Sequence, residues 1–206
     1  MLAAATLLLT ACGGGGDKKI AATTSGTPAG APSAGATTAS PTASAPPAPT
    51  FDFPPDVKVV VDPDTTGDAT KDAVLRDQGY GLQATLLAVA KLDTNIPVFS
   101  KYLAEDAAAS WTTSVSSEKS RHHTLTGTVH YYNRKVTSVS GSTAGVTFCE
   151  DQRYGYDKDI NTGKVLKTAP SRNSFIFHTA QMRRSSDGTW QMTNYKSQRG
   201  AAQCQL

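Results

Sequence analysis

The sequence is poor in the features that most often reveal a biochemical activity. It has only three cysteines, 7% aromatic residues and 18% charged residues in 206 positions. A Gly-rich phosphate loop, a Gly-x-Ser-x-Gly nucleophile elbow and a Cys-x-x-Cys pair are all absent from it. It also lacks a run of about 20 apolar residues, the length that a membrane-spanning helix requires. These absences argue against the chemistries that depend on such motifs, and they leave no candidate for a spanning helix.

The charge of the chain is mild and unevenly divided. The formal net charge is +3, but residues 1–67 hold three lysines against five aspartates, so the remainder carries the positive excess. This excess favours anionic surfaces such as acidic lipid headgroups or wall polymers. Because the basic residues are scattered rather than clustered, the sequence argues against a nucleic-acid partner.

A low-complexity segment separates the N-terminus from the foldable part of the chain. Residues 21–50 consist entirely of Ala, Thr, Ser, Gly and Pro. Such a segment lacks the apolar surface that would offset the entropy lost on ordering it, so it is predicted to be disordered. We therefore predict a disordered tether over residues 12–55 and one folded domain over residues 56–206, which is the size of an ordinary domain.

The N-terminus is an apolar run that ends at a cysteine. Small Ala11 precedes Cys12, and four glycines follow. This pattern resembles the signal segment of a bacterial lipoprotein. The resemblance implies a signal over residues 1–11, acylation of Cys12 with a fatty acid such as palmitate, and a secreted protein anchored at the outer face of the cytoplasmic membrane. Signals of this kind usually begin with basic residues; their absence here is consistent with a start codon upstream of Met1.

The alternative for the N-terminus is a chance apolar segment with a free Cys12. If Cys12 carries lipid, Cys149 and Cys204 remain as a pair, and an oxidising compartment permits them to form a disulfide. The closed loop of about 55 residues would contribute on the order of 4 kcal/mol in the chain-entropy model. Two separate buried thiols are the alternative for this pair.

Helices are predicted in the first half of the domain. Apolar residues at steps of three and four predict the clearest helix over residues 68–92. Gly79 and Gly81 lie inside it, which indicates close packing against a sheet or a second helix. Thr94 is predicted to cap a second helix, and a third is predicted over about residues 105–117.

The second half of the domain has the composition of strands. Leu125, Val129 and Tyr131 alternate with polar residues, as in a half-buried strand. Turn residues then divide the chain into further strands. The predicted strands are one that begins near residue 122, then 146–153, 175–184 and 190–198, with residues 56–61 as a short strand or an extended arm.

Helices followed by four long antiparallel strands are typical of the α+β class. This order, the hairpin at Gly188-Thr189-Trp190 and the trailing Cys204 resemble the NTF2-like superfamily, which includes ketosteroid-isomerase-like and SnoaL-like domains, and in detail small secreted actinobacterial lipoproteins. The resemblance implies N-terminal helices packed on a curved four-stranded antiparallel sheet that forms a cone around a pocket. It also implies a bridge between Cys149 and the C-terminal Cys204.

Four histidines are the first candidates for chemistry. His122 and His123 are adjacent, so on a strand they face opposite sides and cannot form one metal site together. His130 and His178 lie on different strands and can meet across the sheet. Relatives with isomerase activity use a carboxylate base and a tyrosine, but no carboxylate occupies a clear inward strand position. The available tyrosines are Tyr102, Tyr131, Tyr132 and Tyr156.

Two acidic segments resemble calcium loops. Asp62, Asp64 and Asp68 are interpreted as a turn followed by a helix N-cap rather than as a calcium site. In the segment from Asp157 to Gly163, glycine falls at position seven, whereas an EF-hand loop requires it at position six. We interpret this segment as a hairpin loop.

The sequence therefore predicts a membrane-anchored extracytoplasmic lipoprotein whose domain binds a partner without catalysis. No catalytic residue, cofactor or metal ligand is predicted. The expected partner is a small ligand, a wall polymer or an envelope protein. Two alternatives are kept: a pocket enzyme of the isomerase or dehydratase type, and a scaffold component of a secretion or conjugation apparatus.

Overall fold

The computed structural model describes residues 47–206. The predicted signal segment, Cys12 and most of the predicted tether lie outside the described residues. None of the helices in the described part is long and apolar enough to cross a membrane. The elements are β1 (Val57–Val61), α1 (Ala69–Lys91), α2 (Pro97–Tyr102), α3 (Glu105–Ser120), β2 (His123–Ser140), β3 (Thr143–Asp159), β4 (Val165–Leu166), β5 (Phe175–Arg184) and β6 (Trp190–Arg199), with short 3-10 helices at Arg172–Ser174 and Ala202–Cys204.

The sheet has six strands in the described residues rather than the predicted four. Its order is β1-β2-β3-β5-β6, and the short β4 pairs with the far end of β3. The four long strands β2, β3, β5 and β6 are antiparallel, as expected for the α+β class. The extra edge strand is β1, which runs parallel to β2 with Val57 opposite Gly127 and Val61 opposite Tyr131. The backbone of β1 forms hydrogen bonds with the edge of β2, whose amides and carbonyls would otherwise be exposed to solvent.

Helix α1 has the bounds that its apolar spacing predicts. The Asp68 carboxylate accepts hydrogen bonds from the amides of Thr70 and Lys71, both at 2.9 Å, and so caps the N-terminus. The helix ends at Leu92, which takes a left-handed conformation with φ of +53°. Asp68, the last of the three aspartates in the predicted turn, is therefore the helix N-cap, as predicted.

The two glycines of α1 lie where the helix contacts its neighbours most closely. A Cβ atom at Gly79 would lie 2.9 Å from Nη1 of Arg134 on the sheet. A Cβ atom at Gly81 would lie 3.5 Å from the carbonyl oxygen of Tyr102 in α2. Gly79 therefore packs closely against the sheet, and Gly81 packs closely against a second helix.

The start of α2 differs from the prediction. Among the described residues, no side chain caps this helix, and Thr94 is not its N-cap, because the N-cap position is Ile96, two residues later. Asp93 instead accepts a hydrogen bond from the amide of Asn95 at 2.8 Å, which forms a separate turn. Pro97 at the first helical position then sets the start of α2.

The sheet buries both of its faces. One face packs against α1 and α3 and carries Val129, Tyr131 and Phe148; we name it the helical face. The opposite face, which we name the outer face, carries a smaller cluster around Tyr132 and the Cys149–Cys204 disulfide. The other members of that cluster are Phe175, Phe177 and Ala201.

The disulfide joins β3 to the C-terminal 3-10 helix. The Cα atoms of Cys149 and Cys204 are 5.4 Å apart, within the range that a disulfide spans without backbone movement. The hydroxyl of Tyr132 donates a hydrogen bond to the carbonyl of Cys204. The pairing that the sequence analysis expects is therefore present, and the bridge fixes the end of the chain on the outer face.

Candidate functional site

A cavity of about 290 Å³ lies between α1, α3 and the helical face of the sheet. We name it the α3 cavity. Its wall is apolar on the side of the helices and the first half of β2, and polar at the ends of β3 and β6. The apolar lining is Leu86, Val89, Trp111, Leu125 and Val129, and the polar or charged lining includes Glu118, Glu150, Gln152, Asp157 and Arg199.

Trp111 of α3 lines one side of this cavity. Its ring stacks on Tyr195 of β6, with the centroids 5.7 Å apart and an angle of 18° between the planes. The same tryptophan also lines a small gap deeper in the domain, between Phe148, His178 and Glu150. Trp111 and Glu150 thus belong to both spaces, and they connect the wider cavity to the core.

Glu150 is a buried carboxylate of the cavity lining that the sequence analysis missed. It is only 4% exposed, and it lies on the helical face two residues after Phe148. The statement that no carboxylate occupies an inward strand position is therefore wrong. The signal was available, because Val146 and Phe148 point to the core and alternation along the strand places Glu150 on the same side.

A chain of polar contacts runs from Glu150 across three strands. Nε2 of His178 lies 2.8 Å from Oε2 of Glu150, and Nδ1 of His178 lies 2.9 Å from Oγ of Ser197. Strand register explains this alignment, since His178 is opposite Phe148 on one side and opposite Ser197 on the other. The His178 ring also stacks on Phe148 with the centroids 4.6 Å apart.

The carboxylate of Glu150 is held by fixed neighbours. Its second oxygen, Oε1, accepts a hydrogen bond from Nε2 of Gln152 at 2.5 Å. Burial raises the pKa of Tyr131 well above its ordinary value, and the nearby Glu150 charge raises it further. Burial and the same carboxylate also raise the pKa of Tyr195. Both tyrosines therefore stay neutral around the carboxylate.

The two strand histidines do not meet across the sheet as predicted. Strand β3 lies between β2 and β5, so His130 and His178 are separated by a whole strand. Nε2 of His130 instead lies 2.7 Å from Oδ1 of Asp62. His122 is exposed at the start of β2, whereas His123 is partly buried, so the two do not share a site.

The acidic segments behave as turns and ion pairs. Asp64 accepts a hydrogen bond from Nε of Arg134 at 3.0 Å, so it does not converge with Asp62 on one cation. The Asp159 carboxylate accepts hydrogen bonds from the Asn161 and Thr162 amides, which lower the pKa of Asp159. The hairpin-loop interpretation is confirmed.

The candidate tyrosines are dispersed. Tyr156 lines the α3 cavity and Tyr131 lies at its inner end. Tyr132 is on the outer face, and the ring of Tyr102 contacts that of Tyr80 in a tilted arrangement, with the centroids 5.4 Å apart. Burial, with a smaller contribution from the Asp77 charge, raises the pKa of Tyr102 to about 12.

A second cavity of about 390 Å³ lies at the first turns of α1 and the turn between β5 and β6. Its basic residues are Arg76, Lys101 and Arg184. Asp77 lies beneath them, where it accepts hydrogen bonds from Nε of Arg76 at 2.8 Å and from the amide of Trp190 at 2.9 Å. We name this space the basic cleft and treat it as the alternative ligand site to the α3 cavity.

No protein-family model matches the chain, and no curated protein matches it. Among solved structures, the chain is similar to the intermembrane space region of the chloroplast protein ARC6, with 14% identity over 60% of this chain and 92% of that one, and a TM-score of 0.42. It is also similar to a ketosteroid isomerase-like protein from Erwinia carotovora, with 17% identity over 64% and 97% and a TM-score of 0.41. A putative ketosteroid isomerase from Shewanella frigidimarina gives 12% identity over 68% and 99% and a TM-score of 0.35. At such low values these likenesses carry no argument about family or activity.

Proposed function

We propose that this chain is a lipid-anchored extracytoplasmic lipoprotein whose NTF2-like domain binds a small molecule without catalysis. The α3 cavity is the observation that carries the proposal. Its volume of about 290 Å³ is close to the lower end of the range for ligand sites. It also combines an apolar wall with a few polar groups at one end, which is the usual composition of such sites.

The charges of the cavity define the class of ligand. The lining carries three carboxylates, those of Glu118, Glu150 and Asp157, and one guanidinium, that of Arg199. Arg121, outside the lining, pairs with one oxygen of Glu118. The face of an indole such as Trp111 attracts cations as well. The ligand that fits best therefore has a compact apolar body and a cationic or hydrogen-bond-donating end.

The arrangement of Glu150 favours binding over catalysis. A general base needs a carboxylate oxygen that can reach a proton of the substrate. Both oxygens of Glu150 are held by protein groups, one by His178 and one by Gln152. Each oxygen is therefore a weaker base than that of a free carboxylate, and each keeps a lone pair that can accept a hydrogen bond from a ligand donor.

A pair of matched probes tests this proposal. Adamantyl amine and adamantane carboxylate share a rigid apolar body and differ in the sign of their charge. We expect the amine to change the fluorescence of Trp111 in the full chain carrying Cys12→Ser, in metal-free buffer, and the carboxylate to have a much weaker effect. Trp190 is only 2% exposed in the core and serves as an internal reference.

Two variants complete the experiment. Trp111→Phe should remove the fluorescence response, and Glu150→Gln should weaken amine binding by about tenfold, which corresponds to about 1.4 kcal/mol. Equal binding of amine and carboxylate, or a response that persists in Trp111→Phe, would contradict the proposed site.

A pocket enzyme is the second candidate, because a buried carboxylate and a buried histidine lie side by side at the cavity. Such a pair suits proton abstraction next to a carbonyl, as in an isomerase. The test is deuterium incorporation next to the carbonyl of a cyclic ketone in heavy water, followed by NMR. Incorporation that is lost in Glu150→Gln would favour the enzyme, and no incorporation above the uncatalysed rate would favour binding alone.

The proposed location depends on Cys12, which lies outside the described residues. Two or more acyl chains on one residue make a stable anchor, whereas one chain is marginal. A flexible tether of about 40 residues would then span on the order of 35 Å and hold the domain above the membrane. Radiolabelled palmitate should label the wild-type chain and not Cys12→Ser, and Cys12→Ser should leave the membrane fraction.

A further inference from the structure

We propose that Glu118, His123 and Asp157 form a binding site for a divalent transition-metal ion, such as Zn²⁺, at the rim of the α3 cavity. One ligand atom from each residue lies within 4.8 Å of the other two. The site shares Glu118 and Asp157 with the lining of the α3 cavity, so its test uses the metal alone, without the organic ligand proposed above.

The fold brings these residues together from three elements. Glu118 lies in the last turn of α3, and His123 begins β2 five residues later. On the opposite strand, Asp157 pairs with Leu125 and Asp159 pairs with His123. His123 and Asp157 are therefore diagonal neighbours on one face of the sheet, within reach of each other's side chains.

The distances are close to those of a coordination shell. Nδ1 of His123 lies 3.5 Å from Oδ2 of Asp157. A tetrahedral Zn²⁺ bound at about 2.0–2.2 Å places its ligand atoms about 3.4 Å apart. All three ligand atoms lie within 4.8 Å of one another, so binding of one ion would draw them closer together.

Two atoms of the cluster are buried without a hydrogen-bond partner. In the part of the chain that the structure describes, only three buried side-chain atoms have none, and two of them are Oε2 of Glu118 and Nδ1 of His123. The third is Nε2 of Gln78, on the buried face of α1. Both side chains of the cluster are four-fifths buried. A buried carboxylate oxygen and a buried imidazole nitrogen need a cation or another hydrogen-bonding partner to offset their desolvation.

The neighbouring residues leave one oxygen of Glu118 to the cluster and keep Asp159 out of it. Arg121 pairs with Oε1 of Glu118 and so leaves Oε2 for the cluster. Asp159 lies on the same face of the sheet, but its carboxylate accepts hydrogen bonds from the amides of Asn161 and Thr162 in the hairpin loop. One imidazole and two carboxylates suit Zn²⁺, Mn²⁺ or Fe²⁺ better than Ca²⁺, which takes oxygen ligands.

The site has room for a further ligand. Three protein ligands with an open fourth position are typical of metal sites that exchange water or bind a ligand. Glu118 and Asp157 both line the α3 cavity, so the open position faces that space. The metal would therefore add a Lewis-acid anchor to a cavity that already combines an apolar wall with the polar groups of Glu150, Gln152 and Arg199.

The test uses the metal alone with the full chain carrying Cys12→Ser, so that the Cys12 thiol does not compete for zinc. We expect one Zn²⁺ per chain by isothermal titration calorimetry, and a visible absorption band of tetrahedral type with Co²⁺. His123→Ala should lose both. Loss of a direct ligand should weaken affinity by at least the roughly 10- to 100-fold that loss of an outer partner typically causes.

His122→Asn is the matched control, because it removes an adjacent exposed imidazole and asparagine tolerates the left-handed backbone at this position, where φ is +56°. It should retain binding, as should Glu150→Gln, which separates this proposal from that for the organic ligand. Zn²⁺ should also raise the Tm of the parent chain and leave that of His123→Ala unchanged. Unchanged zinc affinity in His123→Ala, or no Co²⁺ band in the parent chain, would overturn the site.

Discussion

Nε2 of His178 lies 2.8 Å from Oε2 of Glu150 in the core of the domain, where the two side chains are 8% and 6% exposed. This pair joins β3 to β5 on the helical face and forms the inner end of the α3 cavity. A second histidine–carboxylate pair, His130 with Asp62, lies at 2.7 Å but is much more exposed. The two pairs therefore offer a direct comparison between a buried and an exposed contact of the same kind.

His178→Ala should destabilise the domain strongly, and His130→Ala should not. Removing His178 leaves the Glu150 carboxylate buried without its partner, which costs about 3–5 kcal/mol. Loss of the exposed pair should cost about 1 kcal/mol or less. Urea unfolding of both variants measures the difference. Equal losses in the free energy of unfolding would contradict the role assigned to burial.

The two glycines of α1 should respond in opposite directions to alanine. Gly79→Ala places a Cβ 2.9 Å from Arg134 and 3.3 Å from Val61, so we expect a loss of about 1–3 kcal/mol. Gly81→Ala meets Tyr102 at 3.5 Å, an ordinary contact, and should be neutral or stabilising by up to about 1 kcal/mol, since alanine favours the helix. Thermal unfolding of the two variants checks the prediction, which fails if Gly81→Ala is the more harmful change.

Asp151 should contribute stability that depends on pH. Burial alone would raise the pKa of Asp151, but hydrogen bonds from the side chain and amide of Arg153 outweigh burial and lower it. A lowered pKa means that the stabilisation is present above the ordinary carboxyl pKa of about 3.9 and is lost as the pH falls through the folded-state value.

Asp151→Asn should therefore lose about 1–3 kcal/mol near neutral pH. The difference from the parent chain should shrink as the pH falls below about 4. Urea unfolding across pH measures this difference, and a gap that stays constant into the acid range would refute the assignment.

The disulfide should account for a large part of the stability. Replacing both Cys149 and Cys204 with alanine opens a loop of 55 residues. We expect a loss of about 4 kcal/mol from loop entropy. Non-reducing peptide mass spectrometry should find the two cysteines joined, and a reducing agent should lower the Tm of the parent chain without affecting the double variant.

Features that depend on local pattern were predictable from the sequence. The bounds of α1 follow from Asp68 and the apolar spacing, and the strands at 175–184 and 190–198 follow from alternation between turn residues. The start of α2 was predicted wrongly because Asp93 and Thr94 both have side chains that favour turns and helix caps. Asp93 accepts a hydrogen bond from the amide of Asn95 and forms a separate turn before the helix, which the sequence does not indicate. The left-handed residue Asn133 likewise moves Arg134 to the helical face, which no periodicity indicates.

Features that depend on strand register were not predictable. The parallel pairing of β1 with β2 joins residues about 70 positions apart. The cluster of Glu118, His123 and Asp157 likewise needs the pairing of β2 with β3, which the sequence does not show. Glu150 is different, because alternation after Phe148 was sufficient to place it inward.

The most direct test of the account is an NMR titration of the full chain carrying Cys12→Ser with adamantyl amine in metal-free buffer. We predict saturable shifts of the Trp111 indole proton, together with the amides of Glu150 and Gln152, at the α3 cavity. Shifts that cluster instead at Arg76 and Lys101 of the basic cleft, or that do not saturate at any site, would contradict a binding function for this cavity.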